Sequence, residues 1–347
     1  MTIRAGVIGY GLSAKVFHLP FLKALDAFEV KAISTSRVEE AAADWPDARI
    51  YADPEAMIAD DGLDLIINTA PNHAHFPLSA AALRAGKHVV VEKPFVTRLE
   101  DGDALIKLAA ENKRVLSIYH NRRWDGDFLT VQKLISEGKL GPVRYFETHF
   151  DRFRPVVRDT WRESDGEGSG ILFDLGPHLV DQTLTLFGMP KALTAQVMMA
   201  RAGARSDDMF RLTLHYDGML AVLVSSPFCA APNLRYKVEG EAGNYVKYGL
   251  DPQEARLREG IQPNGAIWAA EDPADYGQLY TAQGSEPVES VTGGYQGYYY
   301  ALANSIASGG EPPVTASQAL TVLRLLEIAR ESSETGRTIP LSVPKDA

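Results

Sequence analysis

The sequence predicts an α/β domain followed by an α+β domain built on a large, mostly antiparallel sheet. Three observations carry this. The 347 residues are too many for one compact core and suit about two domains. The first 120 or so alternate short β-rich runs with Ala-rich amphipathic stretches, the pattern of parallel βαβ units. Beyond Tyr119 the runs lengthen, gain aromatic and β-branched residues, and are separated by turn-like glycines, as hairpin-connected strands are. The division falls at 1–121 and 122–347.

In chain order, strands are expected over 5–8, 30–33, 63–68, 88–91 and 115–119. Asp53-Pro54-Glu55 reads as an N-cap, a proline at the first helical position and an acidic first turn. The helical run 80–85 ends at Gly86, a plausible C′ glycine. The later segments 143–153, 210–224 and 236–248 are the expected antiparallel strands. A helix over 171–187 interrupts them and stops at Gly188. A last helix over 316–334 places Ala319, Val322, Leu323, Leu326, Ile328 and Ala329 on an apolar stripe. The Gly/Pro-rich stretches 260–264, 293–294 and 309–313 read as loops.

Composition narrows the function. Hydrophobic residues at 45% and charged residues at 23% fit a globular protein with ample apolar surface to bury. A formal net charge of -10 argues against a general nucleic-acid binder, because phosphate neutralisation needs clustered Lys and Arg. Cys229 is the only cysteine, so neither a disulfide framework nor a cysteine-rich zinc site can form within the chain. Met1-Thr2-Ile3-Arg4 leads straight into an apolar strand without a signal-peptide pattern, and no apolar run approaches a membrane span. A cytoplasmic enzyme with no membrane or nucleic-acid partner is expected.

The run Gly9-Tyr10-Gly11-Leu12-Ser13-Ala14 follows a strand and opens a helix, matching the dinucleotide fingerprint with Ala in the third small position. Its small residues serve the tight turn, the close approach of a pyrophosphate and close helix packing. Exposed N–H groups and the helix dipole favour that anion. The first domain is therefore expected to be a Rossmann dinucleotide-binding domain, with Gly9, Gly11 and Leu12 at the cofactor. Where a ribose-binding acidic residue is usual, the sequence reads Ser34-Thr35-Ser36-Arg37. A carboxylate would repel a 2′-phosphate, whereas hydroxyls and a guanidinium would hold it. Ser36 and Arg37 thus predict NADP, with NAD the less favoured cofactor. In the competing reading, Ser36 caps the next helix and Arg37 is a solvated charge.

Glu92-Lys93-Pro94 follows the strand over 88–91, and ligands of doubly wound sheets bind beyond the carboxyl ends of strands. An ammonium there can hydrogen-bond a substrate oxygen and stabilise alkoxide character as hydride moves. The segment Gly168-Ser169-Gly170 through Asp174, His178 and Asp181 carries these three at spacings of four and seven, on one face of a helix. Pro177 is expected to distort that helix locally. A carboxylate beside an imidazole can set its tautomer, and histidine titrates near neutrality, which suits proton exchange with a carbinol. Lys93, Asp174 and His178 are the catalytic candidates. The same face could hold a metal, but hydride transfer with lysine and histidine needs none, and no metal is expected.

The glycine turn, Glu92-Lys93-Pro94 and the Gly-rich segment ending Asp174…His178 together resemble the Gfo/Idh/MocA oxidoreductase family along essentially the whole chain. The resemblance implies a catalytic lysine at Lys93, with the family's Asp and His at Asp174 and His178. It also implies a C-terminal sheet that joins subunits into homodimers or homotetramers. Glu92 and Lys93 then border the cofactor. Thr69-Ala70-Pro71-Asn72-His73-Ala74-His75 looks like the loop lining the nicotinamide, with Pro71, Asn72 and His75 in contact. Trp161-Arg162 looks like the segment reaching toward the nicotinamide. Asn121-Arg122-Arg123-Trp124-Asp125 resembles the branch of NADP-dependent scyllo-inositol dehydrogenases and sugar reductases. The departures are Pro177 inside the Asp-to-His segment and Ser169 between its leading glycines.

Asn121, Trp124, Arg152, Tyr295 and Tyr298 are the candidate lining of a pocket for a small polyhydroxylated substrate, although such residues also serve as core packing, solvent-facing loops or subunit contacts. The expected reaction is hydride transfer between NADP and a carbinol or carbonyl of a cyclitol or sugar. Alternatives are a keto-sugar reductase, a non-catalytic NADP-binding regulator and a redox-assisted glycoside hydrolase.

Overall fold

The computed structural model describes residues 2–160, 163–166, 168–265 and 267–341. The chain forms two compact units, one of residues 1–124, 252–269 and 294–321, the other of 125–251, 270–293 and 322–347. The boundary read at 121–122 is therefore close for the first crossing only. Two later segments return to the first unit, which turn signals alone could not reveal. Among the described residues the helices are, in chain order, α1 (Leu19–Ala24), α2 (Val38–Asp44), α3 (Pro54–Ile58), α4 (His75–Arg84), α5 (Leu99–Asn112), α6 (Gly126–Ser136), α7 (Ile171–Phe187), α8 (Gln253–Arg258), α9 (Gln296–Ser308) and α10 (Ala316–Thr335).

In the first unit, β1 (Ile3–Ile8), β2 (Phe28–Ser34), β3 (Arg49–Tyr51), β4 (Leu65–Asn68), β5 (His88–Val91) and β6 (Leu116–Ile118) form one sheet in the order β3-β2-β1-β4-β5-β6. Every pairing is parallel. This is the doubly wound order whose crevice opens where the winding reverses, between β1 and β4. The inner strands β1, β4, β5 and β6 are mostly buried apolar runs, as a sheet covered on both faces requires. Three-residue β3 went unpredicted because it is an edge strand too short to show a period. The N-cap reading is correct: the Asp53 carboxylate accepts from the Glu55 N–H at 3.0 Å, with Pro54 at the start of α3. Gly86, at φ 72°, follows α4 as expected.

The second unit holds β7 (Val143–His149), β8 (Ala192–Met198), β9 (Met209–Tyr216), β10 (Met219–Ser225), β11 (Leu234–Gly240), β12 (Asn244–Tyr248), β13 (Gly277–Thr281), β14 (Gly284–Val288) and β15 (Ile339–Pro340). Their order is β14-β13-β12-β11-β7-β10-β9-β8-β15, antiparallel except where β10 runs parallel to β7. The stretch 210–224 is a hairpin whose turn residue Gly218 sits at φ 67°. α7 packs on β9 and β10 and continues as one helix through Pro177. No helix among the described residues is long and apolar enough to cross a membrane.

Beneath α7 lies a buried cation. Arg235 of β11 is fully buried, with Nε 3.0 Å from Asp127 Oδ2, Nη1 2.9 Å from Thr148 Oγ1 and Nη2 2.8 Å from Gln182 Oε1 on α7. The Tyr236 hydroxyl donates to the same Gln182 oxygen at 3.0 Å. A buried charge persists only when paired and hydrogen-bonded, so this network sets the register of α7 on the sheet. Arg235→Ala would leave the Asp127 carboxylate buried without its cation and should cost about 3–5 kcal/mol in urea unfolding. A loss below about 1 kcal/mol, the scale of an exposed pair, would show that the network does not hold the unit together.

Candidate active site

Residues of the first unit gather at the carboxyl ends of β1, β2, β4 and β5. Gly9 follows β1 at φ 96°, and a Cβ there would lie 2.6 Å from Thr69 Oγ1, just beyond β4. Only glycine suits a backbone with that torsion and that neighbour. At Gly11 a Cβ would meet no protein atom within 4 Å, so packing within the chain does not demand glycine. Close approach of a pyrophosphate does, and the residues fit a dinucleotide. Leu12 is exposed beside it.

At the end of β2, Ser36 and Arg37 are exposed. Arg37, rather than Ser36, is the residue that enters α2, and no side chain caps that helix; the Thr35 hydroxyl accepts from the Arg37 N–H at 3.0 Å. The reading of Ser36 as a helix cap thus fails. The Arg37 guanidinium donates to the Tyr10 carbonyl at 3.1 Å and lies 3.9 Å from Glu40. Lys15 pairs with Glu40 and sits 4.2 Å over the Tyr10 ring. Two cations therefore flank this strand end.

Beyond β4, Asn68 fixes the following loop. Its side-chain amide donates to the His75 carbonyl at 3.2 Å and to Ser79 Oγ at 3.1 Å, and its Oδ1 accepts from the Ala70 N–H at 3.2 Å. Pro71 is exposed on this loop and Asn72 is nearly buried. Beyond β5, Glu92 accepts the Lys93 backbone N–H at 3.0 Å on one oxygen and the Ser13 hydroxyl and His18 Nε2 on the other. Burial alone would raise the Glu92 carboxyl, but the His18 and Ser13 donors and the Lys93 charge bring it down to about 2.

In the second unit, α7 carries Asp174 half-buried and His178 and Asp181 buried, at the predicted helical spacing. The helix start is held by a distant residue. Asp207 accepts from the Leu172 N–H at 2.7 Å through Oδ2 and pairs with Arg330 at 3.2 Å through Oδ1, while its carbonyl accepts from the Ile171 N–H at 2.7 Å. A Cβ on Gly170, at φ 92°, would strike the Asp207 carboxylate at 2.4 Å. Glycine there lets the carboxylate satisfy orphan N–H groups of the helix start.

Two family models match this chain: an oxidoreductase-family NAD-binding Rossmann fold over residues 3–120 and an oxidoreductase-family C-terminal alpha/beta domain over residues 132–341. The chain belongs to the Gfo/Idh/MocA oxidoreductase family. It is 45% identical over 98% of its length to scyllo-inositol 2-dehydrogenase (NADP(+)) IolW of Bacillus subtilis, covering 96% of that protein. It is 46% identical to the oxidoreductase YdgJ of Escherichia coli, covering 98% of this chain and 99% of that one. The solved structure of the Bacillus subtilis oxidoreductase yvaA superposes with a TM-score of 0.95 at 45% identity, covering 98% and 99% of the two chains. This protein is an NAD(P)-dependent oxidoreductase of that family.

Within the family frame, several candidates move. His75 is a scaffold residue: it is buried, and its two ring nitrogens each lie 2.9 Å from a backbone carbonyl oxygen, of Pro94 and of Ala70. Burial pushes its imidazole below the ordinary value. It lies between the β4 loop and the segment after Lys93. Glu92 accepts from Ser13 and His18 on one oxygen and from the Lys93 N–H on the other.

Tyr295 and Tyr298 are fully buried and belong to the core of the first unit; the Tyr298 hydroxyl donates to Ser117 Oγ at 2.8 Å and its ring meets Trp124 edge-on. Aromatic residues near a helix start carry no sequence mark that separates pocket from core. Trp124 is partly exposed and its carbonyl accepts from Gln253 at 2.9 Å, while Asn121 is nearly buried in the preceding turn. Arg152 is partly exposed, 5.4 Å over the Phe150 ring, in the second unit. Trp161 and Arg162 lie outside the described residues.

Ser13, His18 and Asp207 were missed. The signal for His18 was a histidine at the end of the fingerprint helix directly before Leu19-Pro20. Gly9→Ala should cost about 1–3 kcal/mol of backbone strain and weaken nucleotide binding, read by urea unfolding and by the fluorescence of bound NADPH. Unchanged binding would mean that the turn does not hold the cofactor.

Proposed function

We propose that the chain moves a hydride between NADP and a ring carbinol or its ketone, with a scyllo-inositol-type cyclitol as the substrate class. The observation that carries the cofactor choice is the end of β2, where Ser36 and Arg37 are exposed and no carboxylate occupies the usual ribose-binding place. A fork of charge-assisted donors there suits a 2′-phosphate. The substrate class is supported by the 45% identity over nearly the full length to a relative named as an NADP(+) scyllo-inositol 2-dehydrogenase.

NADP, when bound, supplies the acceptor for hydride in oxidation and NADPH the donor in reduction. In oxidation, the Lys93 ammonium hydrogen-bonds the reacting oxygen and stabilises its developing alkoxide character. His178 takes the hydroxyl proton, and Asp174, one helical turn earlier, orients the imidazole or the ammonium. Reduction runs through the same groups in reverse.

Absorbance of reduced nicotinamide, followed with NADP and with NAD across inositols, aldoses and keto-sugars in both directions, tests the reading. Turnover with scyllo-inositol or its ketone and a preference for NADP are expected. Turnover confined to keto-sugars would replace the cyclitol assignment with a sugar reductase, and silence across the panel with NADP binding intact would favour the regulator or the redox-masked hydrolase. Arg37→Asp should raise the KM for NADP roughly tenfold or more relative to that for NAD, the scale of losing a charge-assisted hydrogen bond. Equal effects on both cofactors would defeat the 2′-phosphate assignment. Lys93→Met should lower kcat by about 10²- to 10³-fold while NADP still binds, and retained turnover would remove Lys93 from the chemistry.

A further inference from the structure

The first unit buries a polar chain that the proposed chemistry does not use. His18 is fully buried, with Nδ1 2.6 Å from the Tyr299 hydroxyl and Nε2 3.0 Å from Glu92 Oε1. The carboxylate has no proton to give, so Nε2 is the donor. Burial holds the Tyr299 phenol well above its ordinary value, so it keeps a proton to give to Nδ1. With the imidazole neutral, the order of donation is Tyr299 to His18 to Glu92. Glu92 then holds the Ser13 hydroxyl and the Lys93 N–H.

Local geometry shows how the chain reaches this arrangement. Ala14–His18 is a π turn, closed by the Leu19 N–H on the Ala14 carbonyl. Residues five apart point to different sides of an α-helix of 3.6 residues per turn. With i to i+5 bonding they lie one above the other. Ser13 and His18 are five apart, and both reach the same Glu92 oxygen. Pro20 follows at the start of α1, where its missing N–H is tolerated.

We propose that His18 is a positioning residue for Lys93: backed by Tyr299, it keeps Glu92 ionised and oriented so that Glu92 fixes the lysine's backbone and sets a negative charge beside its ammonium. The proposal rests on the role given to Lys93 above. The titratable groups facing Glu92 are Lys93 from its own segment, His18 from the π turn, Tyr298 and Tyr299 from α9, and His75 from α4. Of these, His18 and Lys93 favour the charged carboxylate, and only His18 does so by a side-chain hydrogen bond. Without the imidazole, burial dominates and the carboxyl takes up a proton at higher pH.

The test compares wild type with His18→Phe, which keeps ring volume without a donor, and His18→Gln, which restores an N–H near the position of Nε2. Infrared titration of the protonated-carboxyl band, assigned by its loss in His18→Phe combined with Glu92→Gln, should show a group in His18→Phe that titrates at higher pH than in wild type. Lys93, beside a neutralised Glu92, should react faster with acetic anhydride at fixed pH, read by peptide mass spectrometry. The acid limb of kcat should move up by about one pH unit or more, with the loss falling on kcat more than on the KM for NADP. His18→Gln should return all three toward wild type.

An unshifted band and unchanged Lys93 reactivity in folded His18→Phe would overturn the proposal. Should that variant not fold, Tyr299→Phe is read instead and must raise the same carboxyl by a smaller shift, failing which the proposal falls. Band and acetylation need no turnover, so a wild type silent toward every cyclitol and sugar would sink the substrate reading and leave this inference to be decided separately.

Discussion

Glu92 keeps its charge in surroundings that disfavour charge, and the carboxyl-terminal edge of the first sheet is arranged around that fact. Three donors from three places converge on it: the helix after the glycine turn, the π turn that follows, and the backbone of the lysine. A half-satisfied buried carboxylate would be costly, so the donors hold one another in place through it. The nucleotide turn and the lysine strand end thereby become one rigid assembly. His75, whose ring lies between the Ala70 and Pro94 carbonyls, packs the β4 loop against the peptide after Lys93 and donates to one of the two when neutral.

The second unit uses the same logic with the sign reversed. Arg235 is a buried cation that persists because Asp127, Thr148 and Gln182 surround it. Gln182 lies one turn beyond His178 on α7, so the helix that carries the candidate base is hydrogen-bonded directly to the buried guanidinium. Replacing such a network with apolar residues can leave stability unchanged. Its contribution here is register: the amide accepts from both Arg235 and Tyr236, and sliding α7 by a turn would break both bonds. Asp207 fixes the other end of the same helix.

How much of this could be read beforehand depends on the range of the signal. The fold class was legible because periodicity and glycine placement are local: β5 and α7 fall where the pattern put them, whereas the single strand segment read over 210–224 is two strands, β9 and β10, turned at Gly218. The glycine turn was legible for the same reason, since each small residue answers a steric demand a few atoms away. Edge strand β3 and the late strands β13 to β15 were not, because they are short and held by pairing. The site was legible as residue types and less so as roles. Tyr298 and His75 look like ligands in sequence and are scaffold in the structure, because a polar atom declares its partner only when distant segments meet. Tyr299 is 281 residues from His18, and no spacing rule reaches that far.

The charge distribution bears on how the proposed preference for the more anionic cofactor fits a chain of net charge -10. At physiological ionic strength charges are screened over about 8 Å, so the global excess of carboxylates matters less than the few groups at the strand end. There, Lys15 and Arg37 stand together, and the acids nearest them are Glu40 and Asp44 on α2. Glu40 holds both cations from an exposed position, where an ion pair contributes little net stability. On the proposed reading, a 2′-phosphate would displace it at small cost and pair with Arg37. A carboxylate fixed at the tip of β2 would have been no such loose partner: it would occupy the place of the phosphate itself. The proposed preference for NADP thus rests on an exposed, weakly held acid and on a carboxylate missing from the end of β2, rather than on the overall charge.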